Sequence, residues 1–281
     1  MEREYFRFRI LTYPGSERYS IRMRTIQIAL VGLLVFLWFP YRAFADSFYP
    51  NSGIDVTDEA DTVSAGHSEL FFESDYNQER NNSTSGNLSA GFKCGLSNSL
   101  DVGIQLPYSL LLDSRAGNAS GFNDIQFGLK YKLNSANLNH IQVATAVGVK
   151  PPSASLDNNL GNGVFDLSGQ IDVSYYTKQF KHHLNYGYNW LEPVAGTPRR
   201  NHSFYKYKLD YEPSEESRWS YATEIFGEQN EDPTASTDPL SIKVITQLRS
   251  NENLTFNFGV SFGLTNADPT RRYLFGVIFD H

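Results

Sequence analysis

Between Gly121 and Leu133 the chain alternates. Asn123, Ile125, Phe127, Leu129, Tyr131 and Leu133 occupy every second position, and Asp124, Gln126, Gly128, Lys130 and Lys132 stand between them. A period of two means an extended strand with one mostly apolar and one polar face. At roughly 3.3 Å per residue it would run about 40 Å if extended throughout, against about 5–6 residues for an ordinary globular strand. Such a strand fits a membrane-spanning β-barrel better than a soluble sandwich.

The pattern recurs. Twelve segments can each be a strand: about 65–76, 84–96, 99–112, 120–133, 137–150, 162–176, 180–192, 200–212, 217–229, 237–249, 252–264 and 270–280. The cleanest after the first is Leu254–Leu264, where every second residue is Leu, Phe or Val and the rest are Thr, Asn, Gly and Ser. Connections at 97–98, 134–136, 177–179, 213–216 and 250–251 are short. Those at 77–83, 113–119, 151–161, 193–199, 230–236 and 265–269 are mostly longer and rich in Gly, Asn, Pro and Asp. Short and long connections alternate, as periplasmic turns and outer loops do in outer-membrane barrels. The expected fold is all-β: a transmembrane antiparallel up-and-down barrel of about twelve strands.

Composition refines this picture at the N-terminus. Arg22 and Arg24 precede the apolar run Thr25–Pro40, and Ala43-Phe44-Ala45 follows as a small-x-small cleavage pattern. That is the layout of a secretory signal peptide, expected over 1–45 and possible from Met23 as well as Met1. Residues 46–64, acidic and without alternation, are expected as a periplasmic lead-in, and 65–281 as the barrel. The full chain carries a net charge of -7, and residues 1–45 hold seven Arg against three Glu, so the mature chain is more acidic still. An acidic chain without a basic cluster argues against a nucleic-acid partner. The single Cys94 excludes an intramolecular disulfide framework and a cysteine zinc site. Aromatics gather near segment ends: Phe71, Phe72 and Tyr76; Tyr175 and Tyr176; Tyr186, Tyr188 and Trp190; Tyr205, Tyr207 and Tyr211; Trp219 and Tyr221. They are expected as interfacial girdles.

Several blocks resemble one known family. Asp55–Asp58 through Thr62–Leu70 is similar to its acidic entry, and Gly121–Leu133 to its most recognisable strand, "GFGDIxLGLKYRL". Val147–Pro151 with Leu160–Gly163 and Asp166 resembles its "GVKLPTG…LGSGxxD" block, and His183–Tyr188, Glu224–Glu228 and Gly263–Asp268 its later ones. In this order they resemble the "MetA-pathway of phenol degradation" family of outer-membrane transporters. The resemblance implies an outer-membrane location in a Gram-negative bacterium and uptake of small solutes, aromatic or hydrophobic compounds among them. It offers no catalytic residues and no cofactor. Such barrels usually end on an aromatic residue, whereas here Asp280 and His281 follow Phe279.

If the apolar face meets lipid, the other face lines a lumen. Strand parity places Asp101, Gln105, Asp124, Lys130, Lys132, Lys150, Asp166, Asp172, Lys206, Lys208, Asp210, Glu224, Glu228 and Lys243 there. The function expected is a channel or transporter with a charged lumen, not an enzyme. Its partners would be outer-membrane lipid, small solutes and the barrel-assembly machinery. A lipase-like barrel enzyme is the alternative, with His140, His182, His183 or His202 near Ser203 or Asn185; Gly-x-Ser-x-Gly is absent. His67 and His202 are expected to be exposed. Adjacent His182 and His183 would point to opposite faces, so no metal site is expected from them. A structural or surface-binding barrel is the third class.

Overall fold

The computed structural model describes residues 57–80, 83–112, 120–133, 140–154, 160–194, 196–214 and 216–281. The expected signal peptide and residues 46–56 of the expected lead-in lie outside them. The strands are β1 (Ser68–Gln78), β2 (Thr84–Ser97), β3 (Leu100–Leu112), β4 (Ser120–Phe122), β5 (Gln126–Leu133), β6 (Ile141–Lys150), β7 (Asp166–Tyr176), β8 (Phe180–Leu191), β9 (His202–Tyr211), β10 (Trp219–Glu228), β11 (Leu240–Asn251), β12 (Leu254–Gly263) and β13 (Arg271–Asp280).

All pairings between these strands are antiparallel, and β1 pairs with both β2 and β13, so the sheet closes on itself. Both β4 and β5 pair with β3 and share one position in the ring. The result is a closed twelve-stranded barrel, matching the twelve expected segments. Closure leaves no free sheet edge, which is what a spanning sheet needs where lipid cannot hydrogen-bond backbone. The ladder continues past Asp280: the His281 and Ser68 amides each donate to the other's carbonyl, both at 2.8 Å.

The stretch Gly121–Leu133 is not one strand. Pro107 on β3 has no N–H to offer, and opposite it the partner strand breaks at Asn123–Ile125. Three residues there face two on β3, because Tyr108 pairs with Phe122 and Gln105 with Gln126. This is the count of a β-bulge, and it shifts parity by one. Phe122 is exposed before the break and Phe127 after it, although they are five apart. Asn123 therefore faces Ser109, its side-chain amide donating at 2.6 Å, rather than standing on the apolar face.

Outside, Phe127, Leu129, Ile171, Val244, Phe258 and Phe275 are 40 to 55% exposed. An apolar surface of this extent on a closed barrel is a lipid face. At the end near the short turns, Phe180 and Tyr211 stack with ring centroids 5.1 Å apart, and Trp219 and Tyr221 are exposed nearby. Towards the other end Tyr188 meets Trp190 at 5.1 Å and Tyr76 meets Tyr273 at 6.4 Å. Phe71 and Tyr176 depart from the expected girdle: Phe71 is fully buried, and Tyr176 turns towards inward-pointing His183, with ring centroids 5.8 Å apart.

The alternation of connection length is blunter than expected. The turns at 98–99, 177–179 and 252–253 are tight, but 134–140 and 212–218 exceed the outer connection at 79–83. The expected turn at 134–136 lies outside the described residues, as does the loop at 113–119. Residues 57–64 are the described part of the expected periplasmic lead-in. They pass over Gly95 and run into the barrel, where Thr57 and Ala60 are buried.

Candidate functional site

Along β7, Asp166, Ser168, Gln170, Asp172 and Ser174 are all buried while Ile171 between them is more than half exposed. Along β9 the buried set is His202, Phe204, Lys206, Lys208 and Asp210. In a closed ring the buried face is the interior. Of the residues that parity singles out, Asp101, Lys130, Asp166, Asp172, Lys206, Lys208, Asp210, Glu224 and Lys243 are buried, and Gln105, Lys132, Lys150 and Glu228 are half-buried. Charges taken out of bulk water need partners. Here they have them, from two different sources.

At the end near the short turns the partners come from the segment ahead of β1. The Asp58 carboxylate meets Lys130 at 2.7 Å, Asp61 meets Lys132 at 2.7 Å, and Glu59 lies 3.6 Å from Lys208. The backbone of the segment is read as well. The Asp58 amide donates to Asn185 Oδ1 at 2.6 Å, and the Asn185 side-chain amide returns a bond to the Asp58 carbonyl at 2.8 Å. Ala60 N–H donates to Ser174 Oγ at 2.8 Å, Val63 N–H to Asp101 at 3.0 Å, and Thr57 N–H to Glu224, which also pairs with Lys243 at 2.8 Å.

At the other end the long loops supply the partners. Asp166, fully buried, receives the guanidinium of Arg199 through both Nη atoms, at 3.1 and 2.9 Å. Lys150 Nζ joins at 2.8 Å and the Asn162 side-chain amide at 2.8 Å. Arg199 also reaches Glu231 and the Glu192 carbonyl. Burial works against the charge of Arg199, but the hydrogen bonds it donates to Asp166 and Glu231 outweigh this and raise its pKa. Asp124 is not an open lumen charge. Sitting at the strand break, it accepts N–H groups from Ser153 at 2.8 Å, Ala154 at 2.9 Å and Asn162 at 3.3 Å, and so clamps the loop after β6.

His202 is buried, not exposed as expected; its Nδ1 bonds to the Arg200 carbonyl at 3.0 Å and its Nε2 lies 3.3 Å from Asn189. His67 is exposed. His183 points inward, and its Nδ1 lies 2.7 Å from Ser174 Oγ and its Nε2 3.0 Å from Asp210. This has the members of a hydrolytic triad but not its working form. The Ser174 oxygen already accepts Ala60 N–H and is fully buried, and the His183–Asp210 contact is poorly aligned for a hydrogen bond. Neither Ser203 nor Asn185 stands in that role. Glu59, His183 and Asp210 bring ligand atoms within 4.8 Å of one another, a spacing that could hold a metal ion. Lys208, 3.6 and 3.4 Å from the two carboxylates, supplies positive charge there instead.

Sequence reasoning missed Lys93, Glu73 and Asp75, which parity could have found. Glu73 accepts from Ser89 at 2.9 Å and Asp75 from Asn87 at 3.0 Å. It also missed Ser174 and named Asn185 only as a possible partner of a catalytic histidine, since neither carries a charge to draw attention on a polar face.

Solved structures share the architecture. The COG4313 outer membrane channel from Pseudomonas putida F1 superposes with a TM-score of 0.62 at 12% identity, over 79% of this chain and 98% of that one. The KdgM porin gives 0.52 at 8% identity, over 75% and 98%. The fold is that of outer-membrane barrels. No curated protein sequence matches it. The profile of the family described as "Putative MetA-pathway of phenol degradation" matches residues 82–279, most of the chain, and the protein belongs to that family.

Proposed function

We propose that this protein is a non-enzymatic outer-membrane channel for small solutes, aromatic or hydrophobic compounds among them, with the charged residues named above lining the conduit. One observation carries the reading: a closed ring with an apolar outer surface encloses a face of ion pairs and amides. A barrel that only anchored a surface structure would have no use for so many charges held inside, since burying them costs more than filling the space with hydrocarbon. Phe204 adds aromatic surface to the interior, with Lys206 Nζ 5.0 Å from its ring centre. Purified protein in planar bilayers is expected to give discrete conductance steps. Electrical silence at confirmed insertion would overturn the reading.

The Ser174–His183–Asp210 contacts favour a second reading, a lipase-like hydrolase. Detergent-solubilised protein should leave phospholipid intact, because the Ser174 hydroxyl is engaged by Ala60 and enclosed. Hydrolysis lost in Ser174→Ala would reverse that ranking.

A further inference from the structure

The segment Thr57–Val63 is bound as a ligand is bound. Its side-chain anchors are three carboxylates, on Asp58, Glu59 and Asp61, each facing a lysine of the wall. Its backbone is held by Asn185, Ser174 and Asp101. Its only apolar side chains are Ala60 and Val63, so little hydrocarbon burial fixes it in place. Polar contacts of this kind, unlike hydrocarbon burial, can be remade by another molecule that offers carboxylates in the same places. The receiving groups are regularly placed: Lys130 and Lys132 stand on one face of β5, about 7 Å apart at roughly 3.3 Å per residue. They hold Asp58 and Asp61 at equal distances of 2.7 Å.

We infer that this end of the lumen is a binding site for small organic dicarboxylates, which Asp58 and Asp61 occupy here in the manner of a solute. A dicarboxylate that takes their place displaces the segment and opens the conduit. The inference rests on the channel reading and names the solute class this site admits. Charge decides between candidates. A dianion replaces two carboxylates one for one and leaves the wall lysines compensated. A neutral solute of the same shape would take the Asp58 carboxylate from buried Lys130 and put no charge in its place.

The test is bilayer recording of the full chain with adipate and with its neutral diamide, at matched ionic strength. Adipate should raise open probability several-fold and the diamide should leave it unchanged. Asp58→Asn with Asp61→Asn should open the channel without solute. Because that variant could disturb assembly, Gly95→Val gives a second route. A Cβ at Gly95 would lie 2.1 Å from the Ser64 carbonyl oxygen and 2.3 Å from that of Val63, so it dislodges the segment at its root without touching a lysine. Lys130→Met with Lys132→Met should abolish the adipate response and adipate binding in a calorimeter. Steps that are identical with adipate, with diamide and in the Gly95→Val protein overturn the inference and leave the channel reading standing. Silence from every variant at confirmed insertion overturns the channel reading, and this inference with it.

Discussion

The two ends of the barrel interior are satisfied by different chemistry. Near the short turns, wall lysines are compensated by the peptide segment 57–63, through the buried Asp58–Lys130 pair, the partly exposed Asp61–Lys132 pair and bonds from its backbone. At the far end Asp166 is gripped by a bidentate arginine, a lysine and an asparagine at once, and Asp124 gathers three loop amides. Multiple, planar, buried contacts cost much to break, whereas a partly exposed pair such as Asp61–Lys132 costs little. One end is locked by loops, and the other is filled by a peptide segment.

Substitutions should separate the two. Arg199→Gln is expected to hurt most. It leaves fully buried Asp166 short of its main counter-charge, a loss of about 3–5 kcal/mol for a broken buried pair. The temperature at which the folded band is lost in heat-modifiability gels should fall, and adding Asp166→Asn should restore part of it. No restoration would mean the guanidinium acts through Glu231 instead. Next comes Val244→Arg, which tests whether the contrast lies between two interior ends and not between inside and outside. Val244 is 52% exposed on the lipid face, and arginine there should cost roughly 2–4 kcal/mol near the midplane and lower the yield in the outer-membrane fraction.

Gly187→Ala probes the wall between the ends. Its Cβ would lie 2.1 Å from the Phe204 ring, and forcing that ring off its seat should cost about 1–3 kcal/mol. Lys132→Gln should do least. Its ion pair with Asp61 is partly exposed on both sides, worth about 0–1 kcal/mol, so the gel midpoint should hardly move. Ion selectivity in bilayers should change all the same. A large stability loss from Lys132→Gln would erase the distinction between the ends.

Much of the barrel was legible beforehand. Leu254–Gly263 and Ile141–Lys150 announce their faces residue by residue, because lipid demands apolar side chains at every second position. The inward lysines 206, 208 and 243 follow from the same parity. His202 did not, since a lone histidine near a strand end reads equally well as a loop residue. Nor did the roles of Asp124 and Asp166, whose partners sit on loops that carry no periodic signal.

The sequence by itself determined the strands, their number and which face meets lipid, since these follow from local alternation that every residue repeats. Tertiary structure alone decided three things. Pro107 on the neighbouring strand breaks Gly121–Leu133 and shifts its parity. The loop arginine 199 seats on Asp166. The acidic residues 58 to 61 turn into the barrel rather than away from it. Each depends on partners apart in the chain, Thr57 and Glu224 by 167 residues. A short polar segment has no pattern to advertise where it will go, and only the lysines across the lumen give it a place.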